Sequence, residues 1–287
     1  MKPSSLRICL PLLLICSLGA AAHAQTGAKA SATPATSAAA QAKSTSPTPE
    51  QKQVIAQARR AYYSLRALGL NEFQATVKPN WEIILKDQLK TDPEGAARGL
   101  KSLNGLHFSL VMDKDGKVAM THHTDAEPVN EQQRQGFDQI YSGLDQLLDG
   151  FFTTWSVFML NPPFPATESA YTLDDLGGEY RLTYKDGDAD VVTRMGKDFI
   201  ISDIRVQSPK FTSSVRPQFT HTAQGLVLSG YAGDYAPTSG PGATKLDVKI
   251  DHQPVSGMQL PATLKVDAVY NGAPTHIELG FSDHQVK

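Results

Sequence analysis

The chain has 287 residues, of which 40% are hydrophobic and 20% charged, and a formal net charge of -2. Near-neutral charge, with basic residues scattered rather than clustered, argues against nucleic acid or an anionic membrane surface as a partner. Both cysteines, Cys9 and Cys16, fall within residues 1–24, so the rest of the chain has no disulfide, thiol or cysteine-ligated zinc chemistry and must rely on a hydrophobic core.

The opening residues read as an export signal. Lys2 and Arg7 supply a positive start, Ile8 to Leu18 a short apolar run, and Ala22-His23-Ala24 a small-x-small cleavage pattern. Residues 1–24 are therefore expected to be a signal peptide cut after Ala24, which places the protein in the periplasm or outside the cell. Lipidation at Cys16 is the alternative, but Ile15 is larger than the residue that should precede such a cysteine. Residues 25–48 are rich in Ala, Ser, Thr and Pro and contain no large apolar side chain. Such a segment cannot offset the entropy of ordering and reads as a flexible linker. Residues 49–287 are the right size for a single domain.

Thr48-Pro49-Glu50 makes a helix start, and Val54, Ile55, Ala58, Tyr62, Leu65 and Leu68 recur at helical spacing up to Gly69. Glu72 to Lys78 alternates Phe73, Ala75 and Val77 with polar residues, as a half-buried strand does. Trp81 to Leu103 reads as two short helices broken at Asp92-Pro93. Leu106 to His123 follows as a hairpin turning at Asp113-Lys114-Asp115-Gly116.

From Val129 to Leu160 the spacing predicts one long helix, stopped by Pro162-Pro163. Phe137, Ile140, Tyr141, Leu144, Leu147, Leu148, Phe151, Trp155, Phe158 and Met159 share one face, and Phe152, Val157 and Leu160 add apolar surface to the other side. A helix apolar all round must be covered all round or serve as a contact surface. Beyond Ser169, nine alternating runs separated by turns such as Asp186-Gly187, Lys197-Asp198 and Asn271-Gly272 predict a long antiparallel meander.

Taken with the order of elements, Tyr62-Tyr63-Ser64-Leu65 before Phe73-Gln74-Ala75, Leu260-Pro261, Gly272 and Ile277-Glu278-Leu279-Gly280-Phe281-Ser282-Asp283-His284 resemble the periplasmic lipoprotein-carrier superfamily. The resemblance covers Pro49 to the C-terminus. It implies an α+β, mainly β fold: a strongly curved antiparallel open half-barrel with helices packed in its concave mouth. It also implies an exported carrier or binding protein, not an enzyme, for a lipid, a lipoprotein acyl chain or a similar hydrophobic ligand. Phe137, Tyr141, Leu144, Leu148, Phe151, Phe152, Trp155, Phe158 and Met159 would then line the ligand cavity, with Met112, Met120 and Met195 as adaptable surface. Arg181, Arg194 and Arg205 lie on strands, and none is singled out as the arginine that ties sheet to lid in the carriers. Read from the residues alone, the apolar helix is equally a buried core helix. An envelope interaction module without a small ligand is the alternative function, followed by an envelope hydrolase.

No metal or cofactor is expected. His122 and His123 point to opposite faces of a strand, so only His123 and Asp125 could share an ion, and two ligands are too few for zinc. Asp186, Asp188 and Asp190 alternate like a calcium loop but lack its glycine and its closing glutamate. Ser239 to Lys245 has the composition of a phosphate loop without its spacing, and no motif of a serine, metallo- or acyl-transfer enzyme is present.

Overall fold

The structure is a computed structural model that describes residues 46–287. The expected signal peptide and all of the expected linker before residue 46 lie outside the described residues. Among the described residues, five helices and twelve strands follow one another in the order α1 (Pro49–Ala61), β1 (Glu72–Pro79), α2 (Trp81–Ile84), α3 (Lys86–Thr91), α4 (Pro93–Leu103), β2 (Leu106–Asp113), β3 (Val118–Thr124), α5 (Glu131–Met159), β4 (Thr172–Asp175), β5 (Glu179–Asp186), β6 (Ala189–Gly196), β7 (Ile201–Gln207), β8 (Phe211–Thr222), β9 (Gly225–Pro237), β10 (Thr244–Val255), β11 (Met258–Tyr270) and β12 (Ala273–Val286).

α1 begins on a capping box. Thr48 Oγ1 accepts the Gln51 N–H, and Gln51 Oε1 accepts the Thr48 N–H at 2.9 Å. The helix stops at Ala61, well short of Gly69. Tyr62 turns extended, and Tyr63 N–H donates to the Leu226 carbonyl at 3.1 Å. The helical spacing of Leu65 and Leu68 is thus overridden by a bond to a residue far along the chain. Gly225 is required at this approach: its φ is +117°, and a Cβ there would come within 2.9 Å of the Ala61, Tyr62 and Tyr63 backbone. The region expected to hold two short helices holds three, because Leu85 is a C-cap followed by a fresh turn.

All twelve strands join one antiparallel sheet in the order β3-β2-β1-β12-β11-β10-β9-β8-β7-β6-β5-β4. The nine strands of the predicted meander, β4 to β12, pair in sequence order, and the first hairpin is added through the β1–β12 pairing. Positive φ values at Asn271 (46°) and Gly272 (87°) give the tight β11–β12 turn its hand. At the β2–β3 tip, Asp113 Oδ1 accepts the N–H of both Asp115 and Lys117 (2.8 and 2.9 Å).

The expected strongly curved half-barrel, with helices in a concave mouth, is not the architecture found. The sheet is open, neither closed into a barrel nor strongly curved, with β3 and β4 as its two margins. Bending is set by bulges and glycine kinks at particular positions, which apolar alternation does not encode. The register shifts are four single irregularities on four different strand pairs.

Alternation gives the sheet two unlike faces. The inner face carries Phe73, Leu182, Val191, Tyr231, Val248, Leu264 and Leu279, all buried in one continuous core with the helices. The helix-to-strand contacts run from α5 to β3 and β9, from α1 to β9 and from α2 to β12. Among the described residues no helix is long and apolar enough to cross a membrane.

Candidate functional site

α5 is the element on which the expected site rests. Asn130 caps it, its Oδ1 accepting the Gln133 N–H at 2.9 Å. The helix runs 29 residues to Met159, close to the predicted bounds. Its C-terminal half is fixed at the sheet. Leu65 N–H donates to the Met159 carbonyl at 2.8 Å, and Leu228 N–H donates to Met159 Sδ at 3.4 Å. The tip of the β2–β3 hairpin also closes on it: Gly116 has a φ of +81°, and a Cβ there would sit 2.7 Å from Ser156 Oγ.

Eight of the nine predicted lining residues are buried: Phe137, Leu144, Leu148, Phe151, Phe152, Trp155, Phe158 and Met159. Tyr141 differs. It is half-buried, with its ring stacked on His122 at 3.7 Å and edge-on to Phe108 at 5.8 Å. The stripe is therefore divided. Phe137 and Tyr141 sit beside the β2–β3 hairpin, whereas Phe151 to Met159 enter the interior. There Phe152 meets Phe73, Phe151, Trp155 and Phe281 at centroid distances of 4.8 to 6.1 Å, and Phe158 meets Phe219. Such edge and tilted contacts are the favoured geometry of buried rings. Met112 and Met195 are also buried, and Met120 packs on the core.

Within this apolar layer lies a small polar group that the sequence reading passed over. The fully buried Trp155 donates its indole N–H to His252 Nε2 at 3.3 Å, and the two rings are nearly parallel. As an acceptor, that nitrogen carries no proton, so the imidazole is neutral. Burial pushes the His252 pKa down to about 4, with Asp251 opposing weakly. Next to it, His284 Nε2–H donates to the Pro261 carbonyl at 2.9 Å, which leaves Nδ1 to accept from Gln253 Nε2 at 2.7 Å. The His284 ring stacks on Phe73, and burial lowers its pKa as well. A bulge lies opposite, where Asp251 pairs with Thr263 but His252 with Pro261. His252 follows Leu246, Val248 and Ile250 at period two, so its inward direction was legible as alternation.

The other sequence candidates are dispersed. Arg181, Arg194 and Arg205 lie on the outer face, bound to Asp174, Glu179 and Asp203. They line a groove of about 1440 Å³, whose acids Asp174, Asp190 and Asp234 are themselves paired with Arg181, Lys185 and Arg216. The acidic run at Asp186 to Asp190 is the β5–β6 turn, where Lys185 pairs with Asp190 at 2.7 Å. His122 and His123 do point apart: His122 rests on Tyr141, and His123 stacks on His107.

Comparison with the models of known families, with curated proteins and with solved structures returns no match.

Proposed function

We propose that this is an exported protein that binds a hydrophobic or amphiphilic ligand, such as a lipid or a protein-linked acyl chain, between α5 and the inner face of the sheet. The observation that carries the proposal is the Trp155–His252 pair, with His284 and Gln253 beside it, set in an otherwise apolar layer of Phe73, Phe151, Phe152 and Phe281. Wide apolar walls with a few placed polar groups are the chemistry that holds an amphiphile by its tail and orients its head.

Leu148, Phe152 and Trp155 have no solvent exposure, so a guest is admitted by parting α5 from the strands. Hydrocarbon then replaces the contacts those side chains give up. Each 100 Å² of acyl surface taken from water contributes roughly 2.5 kcal/mol. α5 also carries Gly136, Gly143 and Gly150, each costing about 1 kcal/mol of helix propensity against alanine, so its order depends on what it packs against.

Gentle purification followed by native mass spectrometry and lipid extraction tests the reading. The expected result is a co-purifying amphiphile. A fluorescent fatty acid added to a Trp81→Phe variant should also change the emission of Trp155. A protein that is ligand-free and whose Trp155 emission ignores acyl probes overturns the proposal.

A second reading, an envelope interaction module, is favoured by β3, which forms one margin of the sheet. A marginal strand offers unpaired backbone groups to an added strand. Slowed amide exchange in β3 on adding an envelope fraction, with none around Trp155, would select it over ligand binding.

A further inference from the structure

The open end of the β2–β3 hairpin gathers three metal-ligating side chains away from the buried part of α5. The register sets His107 directly opposite His123, and their rings stack at 4.7 Å. Asp125 follows immediately after β3. Its N–H donates to the Gly105 carbonyl at 2.9 Å, which fixes the backbone, and its Oδ1 lies 2.8 Å from His107 Nε2. One donor atom from each of the three lies within 4.8 Å of the other two. We infer that His107, His123 and Asp125 form a binding site for a divalent transition-metal ion of the zinc, nickel or copper class.

The donor set decides the class. Two imidazoles and one carboxylate suit borderline ions, whereas calcium and magnesium need six or more oxygens. Bonds of about 2.0 to 2.2 Å in a tetrahedral site put neighbouring donors roughly 3.3 Å apart. His107 and Asp125, 2.8 Å apart, must therefore open slightly. Both are substantially exposed, 43% and 66%, so the adjustment needs only side-chain rotation. The remaining coordination positions face solvent. An ion here would bridge β2, β3 and the start of the segment leading into α5, and so cross-link the margin of the sheet.

Two other histidines serve as internal controls. His276 forms a similar exposed pair with Asp267, at 2.6 Å, on β11 and β12. Among the described residues, no third His, Asp or Glu donor gathers with that pair. His122 lies on the opposite side of the same strand, against Tyr141.

The test is calorimetric titration of the untagged protein with Zn²⁺, together with electron paramagnetic resonance of the Cu²⁺-loaded protein. The expected result is one ion per chain, with affinity reduced tenfold or more in His107→Ala and in His123→Ala, and unchanged in His122→Ala and His276→Ala. The copper spectrum should show two coupled nitrogens, falling to one in either single variant. Circular dichroism checks that the variants keep the fold, which substitution of exposed side chains should leave intact. Absence of binding, or binding that survives the His107→Ala/His123→Ala double variant, overturns the assignment.

Discussion

The inner and outer faces of the sheet come from the same strands yet hold together by different means. On β6 the inward residues Ala189, Val191, Thr193 and Met195 are buried, while Arg194 on the outer face pairs with Glu179 of β5. Arg181 with Asp174, Arg216 with Asp234 and Lys265 with Glu278 continue such cross-strand pairing along the outer face. Burial of whole side chains is worth a few kcal/mol each, whereas exposed ion pairs are worth about 0 to 1 kcal/mol. The inner face therefore sets stability, and the outer face mainly selects register. A binding function that works by opening the inner face draws on the same contacts that hold the fold.

The largest effect should come from Trp155→Ala, which removes the biggest fully buried side chain. Unfolding in urea should show a loss of about 3 to 5 kcal/mol; a loss under 1 kcal/mol would mean that the inner face around α5 is not the principal core. Next in size is the pH response of His252. Its folded pKa of about 4 lies below the ordinary 6.5, so between those values the unfolded chain binds more protons. The contribution of His252 should be fully present above pH 6.5, be lost as the pH drops through that window, and change no further below pH 4. The total loss should be up to about 3 kcal/mol. His284 is shifted the same way and adds to the slope, so His252→Phe should flatten the profile without abolishing it; an unchanged profile would contradict the neutral imidazole held against Trp155.

Thr193 carries a buried hydroxyl with no hydrogen-bond partner among the described residues. Thr193→Val should therefore raise stability by about 1 kcal/mol, read as a higher urea midpoint at unchanged slope. The smallest effect should be that of Arg216→Ala on the outer face, below about 1 kcal/mol and diminished in high salt. A larger loss there would undo the contrast between the faces.

Much of this was written in local pattern. Phe73, Ala75 and Val77 announced β1, the spacing from Phe137 to Met159 announced α5, and the nine alternating runs became β4 to β12. Long-range bonds were not legible. α1 ends at Ala61 because Tyr63 bonds to Leu226, and nothing near Tyr63 in sequence says so. The bending of the sheet is not written in the alternation that predicts a half-barrel, since it depends on where single extra residues fall between strands. His107 stands isolated in the sequence, and only the hairpin register brings it to His123. A turn that pairs Met112 with Val118 necessarily pairs His107 with His123 five steps further on, so the register adds a third donor to His123 and Asp125.

The β1–β12 pairing joins parts of the chain that are made far apart in time. Asn71 and Glu72 both donate to the Lys287 carbonyl, and Lys287 donates back to Glu72. Until the 14 residues of β12 have emerged, β1 has no neighbour on that side. The N-terminal hairpin must wait with an open flank while the meander assembles. Completion of the fold is thus a late, non-local event, slow by its topology, and during that wait the nascent protein is most exposed to mispairing with another copy of itself.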